Sequence, residues 1–358
     1  MSKPYFAVVA ASKGYEPGLS ALLNSFRLFH KDMGIKILVG DCGLDSEFKE
    51  KYDGDDIEWI PIESERGHIY ATKILRFDIA TKQKGAVVGL FDADMYIVRS
   101  MLNMWKLAEA GFIVGGSNGS NIRFGSDWNE KYGMEVPECW DTKTLTSVPT
   151  FCDIDLHGDV WSEIYRHKME TNKGADFNLL NIMICKLGKL DYVIPFTSAA
   201  MTGVHHQFLK IDTRIINKAN ELLTMNGLEL FSVHGRFWEG DWYTNLTKNM
   251  PKYLARLGIH SSKSKAYQGV LQSQQLLKDE FDKYCDWPYK WSVKAATEAN
   301  VQEEFDKYFV EPVAMEEQNQ ALVEKNDELA EFIESLKRQN KLLKHEIKVK
   351  NQAQKEQP

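Results

Sequence analysis

The sequence predicts an α/β fold built on a mainly parallel sheet, and three observations carry that expectation. Apolar runs of strand length alternate with stretches of helical spacing through the first half of the chain. One of those runs, AVVGLF at 86–91, is uninterrupted, as a strand buried on both faces must be. It stops abruptly at Asp92-Ala93-Asp94, two carboxylates at the sheet edge where open α/β folds place their ligands.

The elements follow in order. Residues 5–11 read as the first strand. After the Gly-Tyr-Glu-Pro-Gly turn, Leu19, Leu22, Leu23, Phe26 and Phe29 recur at helical intervals. A second strand at 35–39 ends in Gly40-Asp41-Cys42-Gly43 and completes a βαβ unit. Residues 57–62 suit a third strand and 70–81 a helix, which leads to the apolar strand at 86–91. From Gly111 to Pro195 the α/β texture continues with longer polar loops, including GGSNGS at 115–120. Residues 270–310 look helical, with an interruption at Trp287-Pro288-Tyr289.

After Pro312 the texture changes. Met315, Leu322, Leu329, Leu336 and Leu343 repeat every seven residues, with Asn319, Asn326, Ile333, Asn340 and Ile347 at the alternate seam position. Asparagine at that position sets register in parallel coiled coils, so 315–350 is expected to make a homo-oligomer, a dimer first. A long helix packed on its own domain is the alternative, and the acidic first half and basic second half would also suit an antiparallel partner. Three regions result: an α/β domain at 1–245, a basic then helical extension at 246–311 and a coiled-coil helix at 312–358.

Composition sets the class. The 358 residues carry 44 basic and 51 acidic groups, a net charge of -7, with 43% hydrophobic residues, which describes a soluble globular chain. This mild acidity gives no general attraction to nucleic acid, although Lys248, Lys252, Arg256, Lys263, Lys265 and Lys278 form a local basic stretch without acidic residues between Asp241 and Asp279. Its ordinary explanation is a solvated helix face; its functional one is contact with an anionic acceptor. The five cysteines are widely separated and never form CxxC, so neither a disulfide framework nor a zinc site is expected. No signal peptide and no transmembrane run is legible, and the expected location is cytoplasmic.

The Asp92-x-Asp94 pair is the chemical centre. Two carboxylates one residue apart, at the end of a buried strand, suit a hard divalent cation, which in turn can neutralise a diphosphate leaving group. An isolated pair of this kind is usually a solvated turn; the apolar strand before it changes the reading. No P-loop, HExxH, GxSxG or GxGxxG pattern competes.

The stretch ATKILR at 71–76, followed by FDADMYIV at 91–98, resembles the helix-strand-DxD core of GT-A glycosyltransferases. The resemblance is to the retaining family of glycogenin and bacterial lipopolysaccharide galactosyltransferases. It implies a Rossmann-like GT-A domain that moves a sugar from a nucleotide sugar, UDP-linked in most members, to an acceptor hydroxyl with retention. Under it, Asp92 and Asp94 bind Mn2+ or Mg2+ and the donor diphosphate, and Lys73 and Arg76 approach the donor. The end of the first strand, with Ala10, Ser12 and Tyr15, holds the nucleoside. Gly40-Asp41-Cys42-Gly43-Leu44 resembles the family's Asp-x-Gly-Leu-Ser turn, either a strand-to-helix turn or a ligand contact.

Further matches follow in the family's order over about two thirds of the chain. GADFNLLN at 174–181 resembles the family's Gly-Asp-Gln-x-x-Leu-Asn, so Asp176 is the implied sugar-binding carboxylate, with Phe177 where the family has glutamine. Cys152-Asp153-Ile154-Asp155 stands in the place of Asn-x-Gly, and Asp153 becomes a catalytic candidate. VHGRFWEGDW at 233–242 resembles His-x-x-Gly-x-x-Lys-Pro-Trp. His234 is then the third metal ligand, and Arg236 replaces the missing lysine, since a guanidinium grips phosphate bidentately. Trp238, Trp242, Trp287 and Trp291 suit either a stacking wall or core packing. The acceptor is a glycan, a lipid-linked sugar, a protein or a hydroxymethylated base in DNA, the last using the basic stretch. A non-catalytic GT-A scaffold on a coiled coil and a metal-dependent nucleotidyltransferase are the rival readings.

Overall fold

In the computed structural model, which describes residues 3–62, 69–197, 216–218, 221–223, 230–239, 261, 263 and 265–287, the chain opens with the expected βαβ unit. Strand β1 (Tyr5–Ala11) leads to helix α1 (Glu16–His30), and β2 (Lys36–Asp41) returns parallel to β1. Helix α1 begins at the Glu16-Pro17 step, where proline's fixed φ suits a first turn, and buries Leu19, Leu22, Leu23 and Phe26. Helix α2 (Ser46–Tyr52) connects to β3 (Ile57–Pro61), which extends the parallel ladder.

Helix α3 (Ile69–Thr81) then crosses to β4 (Val87–Leu90), all four residues of which are buried. The strand is shorter than the apolar run 86–91: Ala86 precedes it, and Phe91, whose amide still donates to the Val8 carbonyl at 2.9 Å, leads into the acidic turn. Strand β5 (Met95–Ile97) lies outside the main sheet. Helix α4 (Leu102–Glu109), β6 (Ile113–Phe124), α5 (Asn129–Tyr132), β7 (Cys139–Asp153), α6 (Ile154–Thr171), α7 (Asp176–Lys186) and β8 (Val193–Thr197) complete the α/β body. Three short strands follow: β9 (Ile216–Lys218) and β10 (Glu221–Leu223) pair with each other, and β11 (Ser232–His234) pairs antiparallel with β5.

The seven-stranded sheet has the order β3-β2-β1-β4-β7-β6-β8. Every strand runs in one direction except β7, which is antiparallel to both β4 and β6. This is the mostly parallel, Rossmann-like class expected of a GT-A domain. The chain moves outward from β1 to β2 and β3, then returns to place β4 on the other side of β1. The C-terminal ends of β1 and β4 therefore border a topological switch point, the place where such sheets bind ligands.

The core between sheet and helices is aromatic. Trp105 stacks on Tyr5 at 5.4 Å and meets Phe151 edge-on at 5.0 Å. Helix α8 (Lys265–Tyr284), which starts before the predicted residue 270, adds Leu277 and Phe281 to the buried set. Its Leu277 carbonyl accepts a 2.7 Å bond from the buried Tyr96 hydroxyl, and Phe281 lies 5.8 Å from the Tyr96 ring. Part of the predicted 246–311 extension thereby packs on β5.

Cys185 of α7 is disulfide-bonded, whereas Cys42, Cys152 and Cys285 carry thiols. This corrects the expectation of no disulfide, because wide spacing in sequence does not limit which sulfurs the fold brings together. No helix among the described residues is long and apolar enough to cross a membrane. The chain divides into a unit of Met1–Glu304 and one of Phe305–Pro358. The heptad segment lies outside the described residues, as does most of the basic stretch. Lys278 of that stretch is buried on α8 and pairs with Asp282 at 2.6 Å.

Candidate active site

The site begins with backbone geometry. Past β4, Asp92-Ala93-Asp94 forms a tight turn into β5, and the antiparallel pairing of β5 with β11 sets His234 opposite Met95. The Gly235 amide donates to the Asp94 carbonyl at 2.8 Å and fastens the two segments at the turn. Helix α1 closes from the other side. A Cβ on Gly18 would stand 2.5 Å from the Ala93 carbonyl and 2.5 Å from the Trp238 ring, so only glycine permits this approach.

Asp92, Asp94 and His234 form a cluster whose ligand atoms all lie within 4.8 Å of one another. His234 Nε2 is 2.9 Å from Asp94 Oδ1 and 3.5 Å from Asp92 Oδ2. Bonds of about 2.1 Å place neighbouring ligands of an octahedral cation about 3 Å apart, so these spacings fit adjacent coordination positions. Two carboxylates and an imidazole suit Mn2+ or Mg2+, and a three-residue set leaves positions for diphosphate oxygens.

Two arginines flank the cluster. Arg76 projects from α3 with its side chain 1% exposed, and its guanidinium donates to Asp92 Oδ1 and, at 2.8 Å, to Asp176 Oδ2. Burial pushes its pKa down from the ordinary value, opposed by Asp176 and Asp94; an arginine retains its charge there. Arg236 lies beyond β11, two residues after His234. It donates to the Tyr15 hydroxyl, sits 4.7 Å from the centre of the Tyr15 ring, and places Nε 3.8 Å from Asp94 Oδ2. Burial works against its charge, but Tyr15, Glu239 and Asp94 together raise its pKa above the ordinary value. Trp238 meets Tyr15 edge-on at 6.0 Å, giving an aromatic wall beside Arg236.

Asp176 is the first residue of α7, where a carboxylate meets the positive end of the helix dipole. The structure therefore joins Tyr15, Arg76, Asp92, Asp94, Asp176, His234 and Arg236 in one connected set. Ala10 lies near the end of β1, paired with Gly40, and the Ser12 carbonyl accepts from the Tyr15 amide at 2.8 Å. Both stand at the switch-point edge. Lys73 lies on α3 one turn before Arg76; its side chain is outside the described set.

Asp153 does not join the set. It pairs with Val87 at the start of β4, whereas Asp92 follows the end of that strand, about 16 Å away at the rise of an extended chain. There its carboxylate caps α6 through the Asp155 amide at 3.0 Å and binds Lys3 at 2.7 Å. The catalytic expectation is replaced by a helix cap, because the antiparallel course of β7 carries its C-terminus to the opposite edge. The Asp41 turn is likewise accounted for by structure: its carboxylate accepts from the Gly43 and Leu44 amides and from Lys49.

The sequence reading gives no site role to Gly18, which it places in a turn, or to Glu239. Glu239 lies 3.3 Å from Arg236, and its spacing of three residues on a turn is a usable signal. Nothing in the sequence marks the contact of Gly18 with Ala93.

No family model matches the chain, and no curated protein matches it. Solved structures with a similar course exist. An active-site variant of LgtC is 13% identical, with 66% of this chain and 90% of that one covered, at a TM-score of 0.46. The galactosyltransferase LgtC with donor and acceptor sugar analogues is 14% identical, with 81% and 99% covered, at 0.46. The bifunctional glycosyltransferase WbbM is 12% identical, with 79% and 52% covered, at 0.44. At this similarity the functional conclusion stands on the residues of the site.

Proposed function

We propose that the chain is a divalent-cation-dependent glycosyltransferase that moves a sugar from a nucleoside-diphosphate sugar, of the UDP class, to an acceptor hydroxyl with retention. The observation that carries the reading is the Asp92-Asp94-His234 cluster at the switch point with an arginine on each side. When bound, Mn2+ or Mg2+ supplies charge neutralisation to the departing diphosphate. Arg236 adds a fixed guanidinium for phosphate oxygens, and its contact with Tyr15 aligns an aromatic face for the nucleoside. Asp176, held by Arg76, presents a carboxylate to the sugar hydroxyls. The acceptor oxygen bonds to the anomeric carbon on the face from which the diphosphate departs, the bond from that carbon to phosphate oxygen breaks, and the hydroxyl proton leaves with the nucleoside diphosphate.

The decisive assay is Mn2+-dependent release of nucleoside diphosphate from a panel of nucleotide sugars, with Asp94→Ala and His234→Ala beside the wild type. Release from one donor, lost in both variants, establishes the class. A folded wild type that neither releases nor binds any donor contradicts it and favours a scaffold; release of pyrophosphate instead identifies a nucleotidyltransferase. The acceptor is a glycan, a lipid-linked sugar, a protein or a hydroxymethylated DNA base, and steep loss of binding with salt separates the last from the others. Oligomerisation through 315–350 belongs to the same reading, and removing 312–358 should abolish the oligomer while sparing donor hydrolysis.

A further inference from the structure

Asp176 follows a turn with two residues in the left-handed region. Between α6 and α7 the chain passes through Asn172 at φ 53° and Gly174 at φ 79°. A left-handed asparagine is sparsely populated, and Gly174 is obligatory on two counts: its φ, and the Tyr132 ring, which a Cβ there would approach to 2.5 Å. Besides the bonds of the Asn172 amide to the Lys168 carbonyl and of Lys173 to Thr171 and the Glu130 carbonyl, two side-chain contacts brace this turn. The ammonium of Lys168, on the last turn of α6, donates to the Gly174 carbonyl at 2.7 Å, and the Asn178 side chain donates to the Tyr132 hydroxyl at 2.7 Å. From the turn, Asp176 reaches Arg76, and Arg76 reaches Asp92 of the cation cluster.

Lys168 is an expensive choice for a structural clip. The residue is only 8% exposed, and its ammonium gives up hydration that one hydrogen bond to a neutral carbonyl replaces only in part. Burial drives its pKa down, and the charge that opposes this is the Asp176 carboxylate. The lysine therefore faces the field of the carboxylate whose turn it holds, and a hydrophobic side chain of similar length would fill the space at lower desolvation cost.

We propose that Lys168 is a positioning residue for the transfer reaction: it fixes the Gly174 turn so that Asp176 meets the donor sugar in register with Arg76 and the Asp92 cluster. This rests on the glycosyltransferase reading for its chemical consequence, and on geometry alone for the brace itself.

The test uses the full chain and the variants Lys168→Met, Lys168→Arg and Asp176→Asn, with Lys168→Gln as the substitute if the methionine variant does not fold. Hydrogen exchange reads the brace without any donor. In Lys168→Met the amides of Phe177 and Leu179 should exchange about tenfold faster, while those of β1 and β4 keep their wild-type rates. On the donor that supports diphosphate release, kcat should fall about tenfold or more in Lys168→Met, with the Mn2+ dependence unchanged. Lys168→Arg should recover most of it. In the Asp176→Asn background the methionine substitution should add less than a further twofold, since its effect passes through Asp176.

Unchanged exchange at 177–179 overturns the proposal whatever the activity. So does an undiminished kcat, or an equal and independent loss in the Asp176→Asn background. Faster exchange in a chain whose wild type turns over no nucleotide sugar upholds the brace and removes the glycosyltransferase reading alone.

Discussion

Acid should weaken the contact between α1 and the segment that follows β5, and His30 supplies the size of the effect. This histidine is buried on α1, its ring 4.5 Å from that of Phe26. Nδ1 is 3.2 Å from the Phe26 carbonyl and Nε2 accepts the Met101 amide at 2.9 Å. Those partners require the neutral ring with its proton on Nδ1. Burial pushes the imidazole pKa down to about 4 from 6.5, with the Phe26 carbonyl working in the other direction. Above pH 6.5 the ring is neutral folded or unfolded, and the native contacts contribute in full. Between 6.5 and 4 the unfolded chain takes up a proton that the fold refuses, so stability falls as pH falls, at up to about 1.4 kcal/mol per pH unit. Over pH 7 to 4 the loss from this one group amounts to about 3 kcal/mol. Urea unfolding followed by tryptophan fluorescence, for wild type and His30→Gln, isolates it from other titrating groups. The wild type should be the more stable at pH 7, and its advantage should shrink by about 3 kcal/mol by pH 4. An advantage that stays constant to within about 0.5 kcal/mol across that range would refute the assignment of a buried neutral imidazole.

Three further outcomes are expected. Arg76→Met removes the cation between Asp92 and Asp176 and leaves a buried carboxylate without it; unfolding free energy should drop by about 3–5 kcal/mol, measured by denaturant titration. Gly18→Ala drives a methyl into the Ala93 carbonyl and the Trp238 ring, which should cost about 1–3 kcal/mol by the same titration and weaken Mn2+ binding as the acidic turn shifts. Arg236→Ala deletes a charged donor worth about 1.5–3 kcal/mol, so diphosphate release should slow about 10- to 100-fold while the fold, read by circular dichroism, is retained.

The first four sheet strands were legible because they are short apolar runs, unlike the long, polar β6 and β7. Residues 5–11 and the helix of Leu19, Leu22, Leu23 and Phe26 occur as read, since periodicity reports burial directly. Asp92, Asp94 and His234 were legible for different reasons: the pair by its position after a buried strand, the histidine only through the resemblance of its neighbours. Asp153 misled because an acidic residue near an expected motif does not reveal the direction of its strand. Antiparallel β7 turns that residue away from the site. Lys168 left no mark in the sequence, as a lysine near a helix end usually lies in solvent; only the fold shows it beneath the Gly174 turn. The disulfide of Cys185 was hidden for the same reason, being a contact between distant segments.

The central claim is that Asp92, Asp94 and His234 hold a divalent cation on which a nucleoside diphosphate binds. Mn2+ titration followed by electron paramagnetic resonance, with and without UDP, tests it most directly. One Mn2+ per chain is expected, bound more tightly with UDP present and lost in His234→Ala and Asp94→Ala. A folded wild type that takes up no stoichiometric Mn2+ under either condition, or variants that bind it as the wild type does, would contradict the claim.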